Sequence, residues 1–155
     1  MRALGVDLGS KRVGLELSDP RGVMATPFSV LVRTGDRERD RQQLLAVAAE
    51  EGVECIVVGL PLSLDGSLGP AARAALAEVD ALRACTDLPV ETYDERLTTV
   101  TADRYLREMS LRGDARRRVV DQVAAAVMLQ AWLDSRETPG EATRTRRRRS
   151  RGRRS

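Results

Sequence analysis

Four acids, at three places in the chain, stand where a carboxylate needs a reason. Asp7 interrupts the apolar run ALGVDL between Val6 and Leu8, and burying a carboxylate without a partner is costly. Asp94 and Glu95 follow the run PVETY, which reads as a strand, and open α/β sheets place their sites at the carboxyl edge of such strands. On a helix, Asp121 shares its face with Ala124, Ala125 and Met128 at i+3, i+4 and i+7. It therefore points along a small-residue apolar stripe that must pack on something. Two of the three places also have an ordinary reading. Asp7 fits a turn cap with Gly9 and Ser10, and Asp94 with Glu95 fits the acidic first turn of a helix, where the dipole favours negative charge.

A buried, unpaired Asp is rare, so convergence of Asp7, Glu95 and Asp121 is the sharper reading. At 4 Å and an effective dielectric near 20, each like-charged pair would cost about 4 kcal/mol. A cation would relieve that repulsion. The chain holds no histidine and two cysteines, Cys55 and Cys85, far apart in sequence, so a Ser-His-Asp triad, imidazole proton transfer and a zinc knuckle are excluded. Hard oxygen donors alone select Mg²⁺ or Mn²⁺. Two such ions roughly 3.5 to 4 Å apart would activate a water and stabilise the leaving oxygen of a phosphodiester. Asp94 replaces Glu95 in this scheme if strand parity turns Glu95 outward.

These acids must be held by a scaffold, and 155 residues suffice for one sizeable core. Strands are expected at Ala3 to Leu8, Arg12 to Ser18 (with Val13, Leu15 and Leu17 on one face) and Pro27 to Val32, the first two joined in a hairpin at Gly9 and Ser10. Leu44, Leu45, Val47 and Ala48 form a helical stripe ending at Gly52. Cys55 to Leu60 is apolar on both faces, the mark of a central parallel strand. A helix over Pro70 to Ala84, a strand over Pro89 to Asp94, a helix opening at Thr98 or Thr99 and a last helix from about Val119 to Leu133 complete the order βββαβαβαα. That order implies a mixed sheet with helices on both faces.

Charge is unevenly distributed. Residues 144–155 carry eight arginines and no acid, which leaves 1–143 at −5. A segment with no apolar residue is expected to be disordered, with a linker beginning near Ser135 at RETPGEAT. The expected organisation is a folded domain over 1–135 and an Arg-rich tail over 136–155. The tail would add sequence-independent affinity for RNA, or be a solvated extension. The N-terminal MRALGVDLGS has neither a signal-peptide nor a membrane-spanning pattern. A cytoplasmic protein without membrane contact is expected, its cysteines buried and free.

DLGSKRVGLELSD (Asp7 to Asp19), VVGLPLSLDGS (Val57 to Ser67), DERLTT (Asp94 to Thr99) and VDQVAAAVMLQ (Val120 to Gln130) together resemble the signature blocks of the YqgF/RuvX family. These are small RNase H-like proteins related to the RuvC Holliday-junction resolvases. The resemblance covers roughly residues 2 to 135 and implies a five-stranded sheet of order 3-2-1-4-5. It also implies a nuclease acting in 5′-end maturation of pre-16S rRNA, with pre-30S particles as the setting. The family's acids fall on Asp7, Glu95 and Asp121. Family members usually have a small residue where this chain has Glu16, and the Arg-rich tail lies outside the family pattern.

Basic residues near this site are candidate nucleic-acid contacts. They are Lys11 and Arg12 after the first strand, Arg96 beside Glu95, and Arg116, Arg117 and Arg118 ahead of the last helix, where positive charge opposes the dipole. The loop after Gly59 lacks the GxxxxGK[ST] pattern, so a P-loop is not supported. Four aromatics, Phe28, Tyr93, Tyr105 and Trp132, are too scattered for a base-stacking platform, and Trp132 reads as an anchor of the last helix. The alternatives are a DNA-junction nuclease using the same metal chemistry, a non-catalytic nucleic-acid-binding module, and an actin-like ATPase suggested by DLGSKRVG. Chain length weighs against the last.

Overall fold

A computed structural model describes residues 1–98 and 126–136. Its elements are β1 (Ala3–Leu8), β2 (Arg12–Ser18), β3 (Ala25–Val32), α1 (Arg37–Glu50), β4 (Cys55–Leu60), α2 (Pro70–Cys85) and β5 (Val90–Asp94), with a 3-10 turn at Glu95–Leu97. Residues 126–136 are helical and are called α3. The helix expected to open at Thr98 or Thr99 lies almost wholly outside the described residues.

The five strands form one sheet of order β3-β2-β1-β4-β5. β1 runs antiparallel to β2 and parallel to β4, which in turn pairs parallel with β5. This is the mixed sheet expected from the element order. β1 is the middle strand and β4 lies inside the sheet beside it; Ile56, Val57 and Val58 are fully buried because both faces of the sheet are covered.

Strand parity divides the core. Leu4, Val6, Leu15, Ile56 and Val58 pack with Leu44 and Ala48 of α1 and with Val79 and Leu82 of α2. Ala3, Cys55 and Val57 point the other way and meet Met128, Leu129, Trp132 and Leu133 of α3. Each fully buried aliphatic side chain contributes about 1.5–3 kcal/mol, so the odd-numbered residues of β1 are held firmly under α3. Asp7 belongs to that odd-numbered set.

Local chemistry sets the ends of the elements. Asp36 caps α1, its carboxylate accepting from the backbone N–H groups of Glu38 and Arg39 at 3.1 and 3.2 Å; such a cap is worth about 1 kcal/mol. That cap starts α1 well before its apolar stripe begins. At the other end Gly52 takes the left-handed conformation, φ +63°, that closes a helix.

β3 begins at Ala25, two residues ahead of the expected Pro27. A proline is tolerated there because β3 is an edge strand and the ladder is irregular opposite Leu15 and Glu16. Gln130 of α3 secures the strand's start. It accepts from the Ala25 N–H at 2.8 Å and donates to the Val23 carbonyl at 2.9 Å.

Trp132 anchors α3 as expected, its Nε1 donating to Glu91 Oε2 at 3.0 Å. The helix continues to Arg136, whose guanidinium lies 4.6 Å over the indole. Both cysteines are free, but only Cys55 is buried. Cys85, the last residue of α2, is exposed, lying outside the buried stripe of Ala72, Ala75, Val79 and Leu82.

Candidate active site at the carboxyl edge of the sheet

β1 and β5 are the outer members of a parallel trio whose strands end on the same edge. Asp7 is the penultimate residue of β1, and Glu95 is the first residue after β5. Between them β4 presents Gly59. A Cβ built on Gly59 would collide with Glu95 Oε1 and stand 3.2 Å from Asp7 Oδ1. The two carboxyl groups occupy the space that any other residue at 59 would fill.

The turn after β5 decides which of the two neighbouring acids faces this space. Asp94 caps the 3-10 turn, its Oδ1 accepting from the Arg96 N–H at 3.0 Å. Its carboxylate is also gripped by the Arg96 guanidinium at 2.6 and 3.0 Å, which holds Asp94 below the usual carboxylate range. Glu95 is thereby turned inward, so Asp94 is not needed as its substitute.

Glu95 is pushed above the usual range, first by burial and then by the charge of Asp7 and contact with it. Asp7, Glu95, Gly9, Arg12, Thr98 and Met128 line a cleft of about 460 Å³.

A third acid lies beneath. Glu16 of β2 is 1% exposed and within hydrogen-bonding reach of Asp7. One of its oxygens, Oε2, accepts from the Leu129 N–H of α3 at 3.0 Å, while Oε1 has no hydrogen-bond partner among the described residues. Burial, then contact with Asp7 and its charge, push this carboxyl up to about 10, and the Leu129 N–H pulls weakly the other way.

Gly5 makes the arrangement possible. A Cβ there would lie 3.0 Å from Leu129 Cβ and 3.1 Å from Glu16 Oε2. The close approach of α3 to the sheet therefore occurs over Gly5 of β1.

Comparison with known proteins gives the arrangement a family. A family model described as RuvX, Holliday junction resolvase, matches residues 1–135. The chain belongs to the RuvX family. A relative from Mycobacterium sp. (strain KMS) is 46% identical over 146 residues, covering 90% of this chain and 86% of its own length. One from Kineococcus radiotolerans is 49% identical over 136 residues, covering 87% and 72%. Both are named "Putative pre-16S rRNA nuclease". A solved structure of Thermus thermophilus RuvC in complex with a Holliday junction substrate superposes with a TM-score of 0.55 at 16% identity, covering 89% of this chain and 96% of that one. At that identity the likeness shows the shared RNase H-like fold.

Within this RuvX chain the expected residues separate. Asp7 and Glu95 are brought together; Asp121 and Arg116 to Arg118 lie outside the described residues. Among the described residues no three acids are placed to hold a metal ion. Lys11 and Arg12 are exposed on the β1–β2 hairpin, which is closed by the Gly9 N–H donating to the Arg12 carbonyl at 2.9 Å. Arg12 reaches the cleft.

Arg96 is engaged within the protein. Besides gripping Asp94 it donates to the Leu64 carbonyl at 3.3 Å and ties the loop after β4 to the turn carrying Glu95. Sequence reasoning gave no site role to Gly59 and noted Glu16 without assigning it one. Gly59 had a signal in being a glycine inside an apolar strand, a position that marks close approach. Glu16 had one in alternating with Leu15 and Leu17, which puts it on the Asp7 face.

Proposed function

We propose that this chain is a divalent-metal-dependent phosphodiesterase that cleaves structured RNA in maturation of the 5′ end of pre-16S rRNA. The observation that carries the reading is the contact of two carboxyl groups, Asp7 and Glu95, from strands distant in sequence, on the carboxyl edge of an RNase H-like sheet. The names of its close relatives support the substrate. Precursor ribosomal RNA also sets the reaction in the cytoplasm, on pre-30S particles; among the described residues no helix is long and apolar enough to cross a membrane.

The chemistry of the donors suits a hard cation, since the set consists of oxygens only; Asp7 and Glu95 are the two described members, and a third would have to come from Asp121. Asp7, Glu95 and Asp121 would hold Mg²⁺ or Mn²⁺, which supplies activation of the attacking water and neutralisation of the leaving oxygen.

The chain's own residues do the rest. Gly59 leaves the cleft floor open, the Asp94–Arg96 pair fixes Glu95, and α3 closes the apolar side. Arg12 and Lys11 on the hairpin, with Arg116 to Arg118, would hold backbone phosphates, which position a substrate without reading its sequence. The 1–135 unit performs the chemistry and the Arg-rich tail adds affinity.

A second reading is resolution of branched DNA by the same chemistry, favoured by the family's description as a Holliday junction resolvase. Purified protein given a 5′-extended 16S precursor and a four-way DNA junction side by side, with Mn²⁺, separates the two. Preferential cleavage of the RNA leader at mapped 5′ positions supports the first reading. Cleavage of the junction alone overturns it.

A further inference from the structure

We infer that the nucleic-acid strand leaves the acid cleft across the outer half of the sheet, over Gly14 to Val30 and Val32, and that Arg33 joins Lys11 and Arg12 in holding its phosphates. The inference rests on the phosphodiesterase reading above, which puts the scissile phosphate beside Asp7, and adds a binding surface outside that site.

Strand register lays out the path. Asp7 of β1 is paired with Gly14 of β2, and Gly14 with Val30 of β3. Directly opposed residues share a face of the sheet, so Val30 stands on the Asp7 face two strand spacings away, about 10 Å. Arg12, which lines the cleft, is paired in the same way with Val32. Gly14 puts no side chain between the acid and Val30. A Cβ there would meet Asp7 Cβ at 3.6 Å, an ordinary contact, and Gly14 takes no left-handed conformation. Neither crowding nor the backbone therefore requires a glycine at 14, whereas an open floor does.

What flanks the path selects its occupant. Val30 and Val32 are 59% and 67% exposed. Lys11, Arg12 and Arg33 are exposed at their end of the sheet, where the Arg33 N–H donates to the Lys11 carbonyl at 2.9 Å. Among the described residues none of these three cations forms an ion pair. Residues 20–35 contain no acid, and the acids that follow are engaged: Asp36 caps α1, and Asp40 accepts from the Thr34 hydroxyl at 2.7 Å. Exposed valines on an edge strand are ordinary by themselves. Set in register with the cleft and beside three free cations, they fit a polyanion with apolar faces, whose phosphates meet the cations while riboses and bases lie on the valines.

Binding is read in chelator, so that it does not depend on cleavage. The anisotropy of a labelled single-stranded RNA is followed against full-length wild type, Val30→Asp, Val32→Asp, Val30→Lys, Arg33→Gln and Val23→Asp. Val23 is also exposed but lies ahead of β3, at the opposite end from Arg33, so its variant makes the same change in net charge off the path. All should melt as wild type does, because every replaced side chain is exposed. Val30→Asp and Val32→Asp should weaken binding at least about five-fold and Val23→Asp less than about two-fold, since salt screens distant charges. Val30→Lys should tighten binding. Arg33→Gln should weaken it and lower the slope of log affinity against log salt by about 0.7.

Wild-type affinity in both path variants overturns the inference. An equal loss in Val23→Asp does the same, because it makes the effect one of net charge. Aspartate variants that keep their RNA affinity but lose a dimer in sedimentation velocity overturn it by making this edge an interface between copies. Wild type that binds RNA through these residues yet cleaves none in Mn²⁺ supports the path as a binding surface while overturning the phosphodiesterase reading.

Discussion

The carboxyl groups of Asp7 and Glu95 touch over Gly59, in the space that a side chain at 59 would take. Strand β4 thus separates the two acid-bearing strands and makes room for their side chains. Filling that room should dismantle the site without unfolding the protein. Gly59→Ala is expected to displace Glu95 at a cost of about 1–3 kcal/mol, the usual price of overpacking. Cleavage should fall by more than about ten-fold, since the displaced group is one that a 1 Å shift would disable. Thermal melts beside initial rates check both; a Gly59→Ala enzyme with wild-type rates would show that Glu95 is not needed where it stands.

Metal-free stability should depend on pH in the alkaline direction. Glu16 ordinarily titrates near 4.5 and in the fold near 10, and Glu95 is raised as well. A group raised in the folded state keeps its proton there while the unfolded chain loses it. Its full stability is therefore present below about pH 4.5 and declines as pH rises toward about 10. Asp94 and Asp65 are shifted the other way, so their contributions fade only on acidification below the ordinary Asp range, outside this window. Melts in chelator at pH 5, 7 and 9 should show falling midpoints, with a shallower fall in Glu16→Gln. For a chain of this size each 1 kcal/mol moves the midpoint by about 2–4 °C.

Arg96 should act on the loop after β4. It bridges Asp94 and the Leu64 carbonyl, and both partners of the ion pair are solvent-accessible, so the pair adds little to global stability. Arg96→Lys loses the two-pronged grip. The melting midpoint is expected to change little while limited proteolysis within residues 61–69 speeds up, as read by peptide mapping. Unchanged protection of that loop would remove Arg96 from this role.

The Arg-rich tail should contribute affinity and leave the chemistry alone. Each phosphate neutralised on a single strand adds about 0.7 to the slope of log affinity against log salt. Replacing the eight arginines of residues 144–155 by serine is expected to weaken RNA binding and flatten that slope, with the rate at saturating substrate unchanged. An unaltered slope would mark the tail as a solvated extension.

Much of this arrangement was legible in the sequence. Strands β1, β2 and β4 carry clean periodicity, and the βββαβ order led to the mixed sheet. The DER block led to Glu95, although periodicity alone left Asp94 open, because the choice is made by a tertiary grip: Arg96 and the 3-10 turn hold Asp94. Element ends such as the start of β3 depend on edge position and a bulge, which pairing creates and no local pattern encodes. Glu16 was visible as an acid in an alternating strand. Its contact with Asp7 and its bond to Leu129 join residues far apart in the chain, so they emerge only when α3 lies on β1 over Gly5. Cys85 failed the expectation of burial because a hydrophobic residue at a helix end follows the helix's phase.

The central claim, metal-dependent hydrolysis at Asp7, is tested most directly by incubating wild type and Asp7→Asn with a 5′-extended 16S precursor, with Mn²⁺ and with chelator, and mapping the products. The account predicts cleavage by wild type in Mn²⁺ alone, and none by a folded Asp7→Asn. Equal cleavage by the two proteins, or cleavage by wild type in chelator, would contradict it.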